Sequence, residues 1–149
     1  MEDFLETAYE KFVFRVKVGY FYTKDDFWAS VDGNLAVIGV SDFLQKSKGD
    51  VAFLETAEAD VEMKQGQELG KIETIKATFG ILSPVSGKLV EVNPELDSSP
   101  YLINEDPYGA GWIYKIEPSD FEGDRKNLLQ AGGYLDLIQQ RIAEEMKKK

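Results

Sequence analysis

The chain has 149 residues, of which 43% are hydrophobic and 12% aromatic; this bounds it to one globular domain long enough to bury a core. Its 27 acidic residues against 17 basic ones give a formal net charge of −10, the wrong sign for a nucleic-acid footprint. With no cysteine and no histidine, disulfides, Ser-His and Cys-His nucleophilic systems and ordinary zinc sites are excluded.

The N-terminal run Met1-Glu2-Asp3-Phe4 lacks the basic and apolar regions of a signal peptide, and no apolar run approaches the roughly 18 residues of a membrane span. A soluble, cytoplasmic protein is expected. Phe4, Leu5, Ala8, Tyr9 and Phe12 fall at helical spacing and predict a short amphipathic helix over 3–13. Phe12 to Val18 then alternates in its last part, as a strand would. Residues 1–20 read as an extension that docks on the domain or binds a partner, and 21–149 as the domain itself.

Phe27 to Val31 and Leu35 to Val40 are β-prone runs joined by Asp32-Gly33-Asn34, a strong hairpin signal. Ser41 is placed to cap a short helix from Asp42 to Lys48, stopped at Gly49. Val51 to Leu54 reads as a buried strand, and Asp60 to Gly66 as a surface loop. Two further β-prone runs, Ile72-Glu73-Thr74-Ile75 and Thr78 to Leu82, flank Lys76. Paired as a hairpin, they put Lys76 at or beside its tip, with Ile75 and Ile81 or Leu82 as anchors to the core and Pro84 setting the exit.

Lys88 to Val92 is a strand ended by Asn93-Pro94, and the segments 97–100 and 104–107 carry loop chemistry. Trp112, Tyr114 and Ile116 alternate with polar residues as a half-buried strand. From Asp124 the pattern turns helical, with Tyr134, Leu135, Ile138 and Ile142 on one stripe and Lys147-Lys148-Lys149 complementing the helix C-terminus. The pattern as a whole predicts a mainly β sandwich or flattened barrel, with two similar sheets face to face, a short internal helix, and N- and C-terminal helices.

Two glycine patterns carry no nucleotide chemistry. Gly109-Ala110-Gly111 lacks the third glycine and a following helix, and Gly80 to Gly87-Lys88 has the wrong spacing for a phosphate loop. The 27 acids contain no pair singled out for catalysis. An isolated Glu-x-x-Lys is ordinarily a solvated loop segment, but the run Glu73-Thr74-Ile75-Lys76-Ala77 stands in specific company. With Ser83-Pro84-Val85-Ser86-Gly87 and Val90-Glu91-Val92-Asn93 it resembles the lipoyl-attachment region of glycine cleavage system H proteins. Tyr22-Thr23-Lys24 with Trp28, Gly39-Val40-Ser41-Asp42, Gly49-Asp50-Val51, Leu102 to Gly109 and Gly111-Trp112 match other parts of that family in order, over roughly residues 21 to 138. The chain departs from it in having Asp25-Asp26-Phe27 where a histidine usually precedes the tryptophan. It also has Glu-Thr-Ile-Lys for the usual Glu-Ser-Val-Lys, and Thr78 to Leu82 after the lysine.

The resemblance implies the barrel-sandwich hybrid fold of lipoyl and biotinyl carriers, with lipoic acid in amide linkage on Lys76 and Glu73 assisting recognition by the lipoyl ligase or transferase. It implies a non-catalytic carrier that takes the aminomethyl group of glycine from glycine decarboxylase to the aminomethyltransferase and is reoxidised by dihydrolipoyl dehydrogenase. No nucleic acid or membrane partner is expected. Asn93, Tyr108 and Trp112 are weaker candidates to line a shelter for the arm. Two other readings stay open: an H-protein-like carrier of sulfur intermediates in a heterodisulfide-reductase-like pathway, and an unmodified interaction module.

Overall fold

Residues 3–147 are described by the computed structural model. The first elements depart from the sequence reading: Phe4–Tyr9 (β1) and Phe12–Lys17 (β2) form an antiparallel hairpin, with Tyr9 opposite Phe12, where a helix over 3–13 was expected. The apolar positions fit a helical period, but the inward-facing Phe14 and Val16 alternate along β2 and settle the outcome as strand. The turn residue Glu10 has φ 56°, a left-handed backbone in a residue type that does not advertise it.

Next come Phe21–Tyr22 (β3), Phe27–Asp32 (β4) and Leu35–Val40 (β5), with Gly33 at φ 61° in the expected tight turn between β4 and β5. Helix α1 spans Asp42–Lys48. Ser41 Oγ accepts from the Leu44 amide at its start, and Gly49 ends it at φ 88°. Val51–Thr56 (β6), Glu62–Met63 (β7), Glu68–Thr74 (β8), Thr78–Leu82 (β9) and Gly87–Val92 (β10) follow. A 3₁₀ turn at Pro94–Leu96 follows β10, and a one-turn helix Leu102–Glu105 (α2) runs into the segment 104–107 that was expected to be loop. Tyr114–Pro118 (β11), Phe121–Asp124 (α3) and Ala131–Lys147 (α4) complete the described chain.

Two sheets enclose the main core. One has six strands in the order β3-β4-β5-β11-β10-β7, and the other three, β6-β8-β9. The expectation of two similar sheets is corrected in size and in origin. Strand β7 precedes Lys76 yet pairs with β10, and β9 follows Lys76 yet pairs with β8, so each sheet draws on both halves of the chain. Between them Ala36, Ile38, Leu69, Ile72, Ile81, Leu89, Ile113 and Ile116 are buried. Strand β6 was expected to be buried, but only Val51 is; β6 is an edge strand, and Phe53 remains 60% exposed.

A second cluster forms outside the sandwich. Helix α4 lays Tyr134, Ile138 and Ile142 against Phe14 and Val16 of β2 and against Tyr22 and Trp28. The rings of Tyr22 and Tyr134 stack at 4.4 Å, and the Trp28 indole donates to the carbonyls of Val40 and Pro107. Gly39 is required beside this indole, because a Cβ there would stand 2.7 Å from the ring. The N-terminal extension and the C-terminal helix therefore share one core.

Candidate functional site

Strands β8 and β9 pair antiparallel, with Glu73 opposite Thr78, and leave Ile75-Lys76 at the tip. The tip is stiff because its backbone groups are answered locally. The Thr74 amide donates to the Ala77 carbonyl at 2.8 Å, and Thr74 Oγ1 accepts from the amides of Lys76 and Ala77 at 3.2 and 3.1 Å. The same hydroxyl donates to the Lys48 carbonyl at 2.7 Å, and the Ile75 amide donates to the Asp50 carbonyl. The turn is thus fastened to the end of α1. Asn104 of α2 reinforces that junction: its side chain accepts from the Val51 amide and donates to Gln45 and to the Gly49 carbonyl.

Lys76 is exposed and takes part in no ion pair among the described residues. Glu73 is exposed on β8, three residues before it. The expected anchor Ile75 is instead 74% exposed, since alternation along β8 puts Ile72 and Thr74 inward; Ile72 and Ile81 hold the hairpin to the core. Thr74 and the carbonyls of Lys48 and Asp50 were missed as determinants of the site. The signal was a hydroxyl two residues before the lysine.

A cleft of about 520 Å³ opens beside the tip, with Lys76 among its lining residues. Its walls are Tyr9, Phe12 and Phe14 of the N-terminal hairpin, Phe43 of α1 and Ile142 of α4. Phe12 stacks on Phe14 at 5.9 Å, and Phe14 meets Phe43 edge-on at 4.9 Å. Lys46 Nζ, also in the lining, donates to the Val13 carbonyl at 2.6 Å and pairs with Asp42 at 3.0 Å, fixing the hairpin to α1. Further ties come from the Arg15 amide, which donates to Asp42, and from the Tyr108 hydroxyl, which donates to the Arg15 carbonyl.

At the cleft's edge Arg141 donates to Asp26 at 2.6 Å, and Asp26 also accepts from the Tyr134 hydroxyl at 2.7 Å. Burial raises the Asp26 carboxyl above its ordinary range despite these donors, and burial first, then the Asp26 charge, pushes the Tyr134 hydroxyl up. The weaker candidates fall elsewhere. Asn93 is buried and spends its amide on the carbonyls of Ala110 and Trp112, Tyr108 serves the hairpin anchor, and Trp112 stacks under Lys115; none lines the cleft beside Lys76. Among the described residues no cluster of acids could hold a metal ion, and no helix is long and apolar enough to cross a membrane.

The glycine cleavage H-protein family model matches residues 20–141. The chain is 44% identical over 127 residues to a probable glycine cleavage system H protein of Pyrococcus abyssi, covering 84% of this chain and 93% of that one. It is 44% identical to the glycine cleavage system H protein of Carboxydothermus hydrogenoformans, covering 80% of this chain and 91% of that one. The crystal structure of a glycine cleavage system H protein from Mycobacterium marinum superposes with a TM-score of 0.73 at 29% identity, over 80% of this chain and 95% of the other. With the family model spanning most of the chain and these relatives matched nearly end to end, the chain belongs to the glycine cleavage H-protein family.

Proposed function

We propose that the protein is the lipoyl carrier of glycine cleavage, with lipoic acid in amide linkage on Lys76. The observation that carries this is the presentation of Lys76: an exposed amine on a two-residue tip whose backbone is locked by Thr74 and tied to α1. A modifying enzyme needs an amine it can reach and deprotonate, on a support whose shape does not fluctuate. The residues present fit the group, since the lysine stands clear of ion pairs among the described residues and adjoins a cleft whose lining mixes Tyr9, Phe12, Phe14, Phe43 and Ile142 with the charged Glu10, Lys46, Arg141 and Glu145. When bound, the lipoyl group supplies a disulfide that takes up the aminomethyl unit left by glycine decarboxylation.

The chain's own residues present and position. Thr74 fixes where Lys76 projects, exposed Ile75 and Glu73 offer an adjacent surface for the ligase or transferase, and Ile72 and Ile81 keep the hairpin on the core. The partners implied are glycine decarboxylase, the aminomethyltransferase and dihydrolipoyl dehydrogenase, in a cytoplasmic setting. The chain acts among them as a carrier without turnover of its own. Glu73→Ala should leave stability within about 0.5 kcal/mol, as an exposed change does, while slowing lipoylation in a timed ligase assay; an unchanged rate removes Glu73 from the recognition surface.

The reading is tested by glycine–bicarbonate exchange with a purified glycine decarboxylase. Lipoylated wild-type protein should support exchange and Lys76→Arg should not. Lipoylation on Lys76 without exchange would overturn the glycine assignment in favour of a carrier of another cargo, such as sulfur intermediates.

A further inference from the structure

The N-terminal hairpin, outside the family match at 20–141, is a two-stranded sheet with two edges, and only one of them is closed. The Val18 amide donates to the Asp3 carbonyl, which sets the ladder. Leu5, Thr7 and Tyr9 bond to β2, while Phe4, Glu6 and Ala8 turn their amides and carbonyls away from it. On the β2 side the outward groups are answered by side chains. The Arg15 amide donates to Asp42, the Arg15 carbonyl accepts from the Tyr108 hydroxyl, and the Val13 carbonyl accepts from Lys46. On the β1 side no hydrogen bond among the described residues reaches the outward backbone groups of Phe4, Glu6 or Ala8, and Glu6 and Ala8 are exposed. Strand β1 also lacks the usual protections of an open edge: it has no proline, no bulge and no lysine, and its one charge, Glu6, faces Arg15 at 4.0 Å.

From this we infer that β1 pairs with β1 of a second copy of the chain, antiparallel about a two-fold axis at Thr7, joining two hairpins into one four-stranded sheet. The strand's own sequence selects this occupant and this register. An axis at Glu6 would set Glu6 against Glu6, like charges directly opposed, and an axis at Leu5 would leave Ala8 and Tyr9 without a strand beside them. At Thr7 the register sets Thr7 against Thr7, Leu5 against Tyr9 and Glu6 against Ala8, all compatible neighbours. It also carries Glu10 of the second copy towards Phe4, over whose ring Arg15 and Lys17 stand at 4.8 Å, so the ends of the strands meet with opposite charge. Because the β2 edge is already closed, the pairing stops at two copies. The strands run antiparallel, so the two Tyr9–Glu10 turns, each beside its own Lys76, lie at opposite ends of the joined sheet. The net charge of −10 on each copy opposes association at low salt and is screened at higher salt. None of this depends on what Lys76 carries.

The test uses the full-length protein, which has no native cysteine, carrying Glu6→Cys, Thr7→Cys or Ala8→Cys singly under a mild oxidant. Thr7 meets its counterpart at a non-hydrogen-bonded position, where Cα atoms lie about 4.5 Å apart, within the span of a disulfide bond. Thr7→Cys should therefore cross-link severalfold faster than either neighbour. Sedimentation velocity of the wild type should show a dimer fraction that grows with protein concentration and with salt. Glu6→Pro removes an amide hydrogen that no internal bond uses; it should keep the wild-type thermal midpoint and abolish the dimer. A wild type that stays monomeric, with Thr7→Cys cross-linking no faster than its neighbours, overturns the inference. So does a dimer that survives in folded Glu6→Pro, which places the contact on another surface, or fastest cross-linking at Glu6→Cys or Ala8→Cys, which moves the axis. If Glu6→Pro unfolds, the three cysteine variants decide.

Discussion

Thr74 does more for the site than its place in a four-residue motif suggests. Its hydroxyl receives two tip amides and donates to the Lys48 carbonyl, so one side chain fixes both the shape of the turn and its attachment to α1. The family's usual serine supplies the same hydroxyl, which is why threonine there preserves the turn. Thr74→Val keeps the shape and removes the hydrogen bonds; it should cost about 1–3 kcal/mol in urea unfolding through the buried groups left unpaired, and slow lipoylation. Thr74→Ser should do neither. Equal lipoylation of the Val variant would show that the tip does not need this lock.

Asp26 offers a pH test at the same scale. Burial raises its carboxyl, so the folded chain holds that proton to higher pH than the unfolded chain does. Its stabilising contribution is full below the ordinary aspartate value of about 3.9 and is lost as pH rises through the raised value. Asn at this position keeps hydrogen bonding and tolerates the left-handed backbone at φ 78°. The stability of wild type relative to Asp26→Asn should therefore fall as pH increases from about 4 towards neutrality. A difference that grows with pH would mean that the Arg141 pair dominates over burial.

Among the elements, the central hairpin depends on close backbone approach. Gly70 has φ 118°, and a Cβ there would collide with the Glu55 carbonyl in the β6–β8 ladder. Gly70→Ala should destabilise by about 1–3 kcal/mol, the usual cost of a residue held in such a region, and should lower the midpoint of thermal unfolding; an unchanged midpoint would show that the ladder yields there. The sequence disclosed elements whose local chemistry was explicit: Asp32-Gly33-Asn34 as a turn, Ser41 and Gly49 as helix ends, Trp112 to Ile116 leading into the final strand. It misled where local chemistry was silent. Nothing in Glu10-Lys11 signals a turn, and the burial of Ile72 rather than Ile75 depends on a register that only the paired strands fix.

The described residues form two cores. The sandwich core holds the hairpin that carries Lys76, while the outer core joins the N-terminal hairpin to α4 around Trp28 and Tyr134. The place of Lys76 on an exposed hairpin tip was legible because β-prone runs flank it. The cleft was not, because its walls come from residues 9–14, 43, 46–47 and 141–145, brought together only by packing of the two ends of the chain. Neither a charge pattern nor a spacing marks residues so separated.

The proposed carrier role depends on acylation of Lys76. The most direct measurement is the intact mass of the full-length protein after incubation with lipoyl ligase, lipoic acid and ATP, followed by peptide mapping and then by glycine with glycine decarboxylase. One lipoyl increment is expected, mapped to Lys76 and absent in Lys76→Arg, and a further aminomethyl increment once glycine and the decarboxylase are added. An unmodified protein with an active ligase, or a lipoyl group mapped to another lysine, would contradict it.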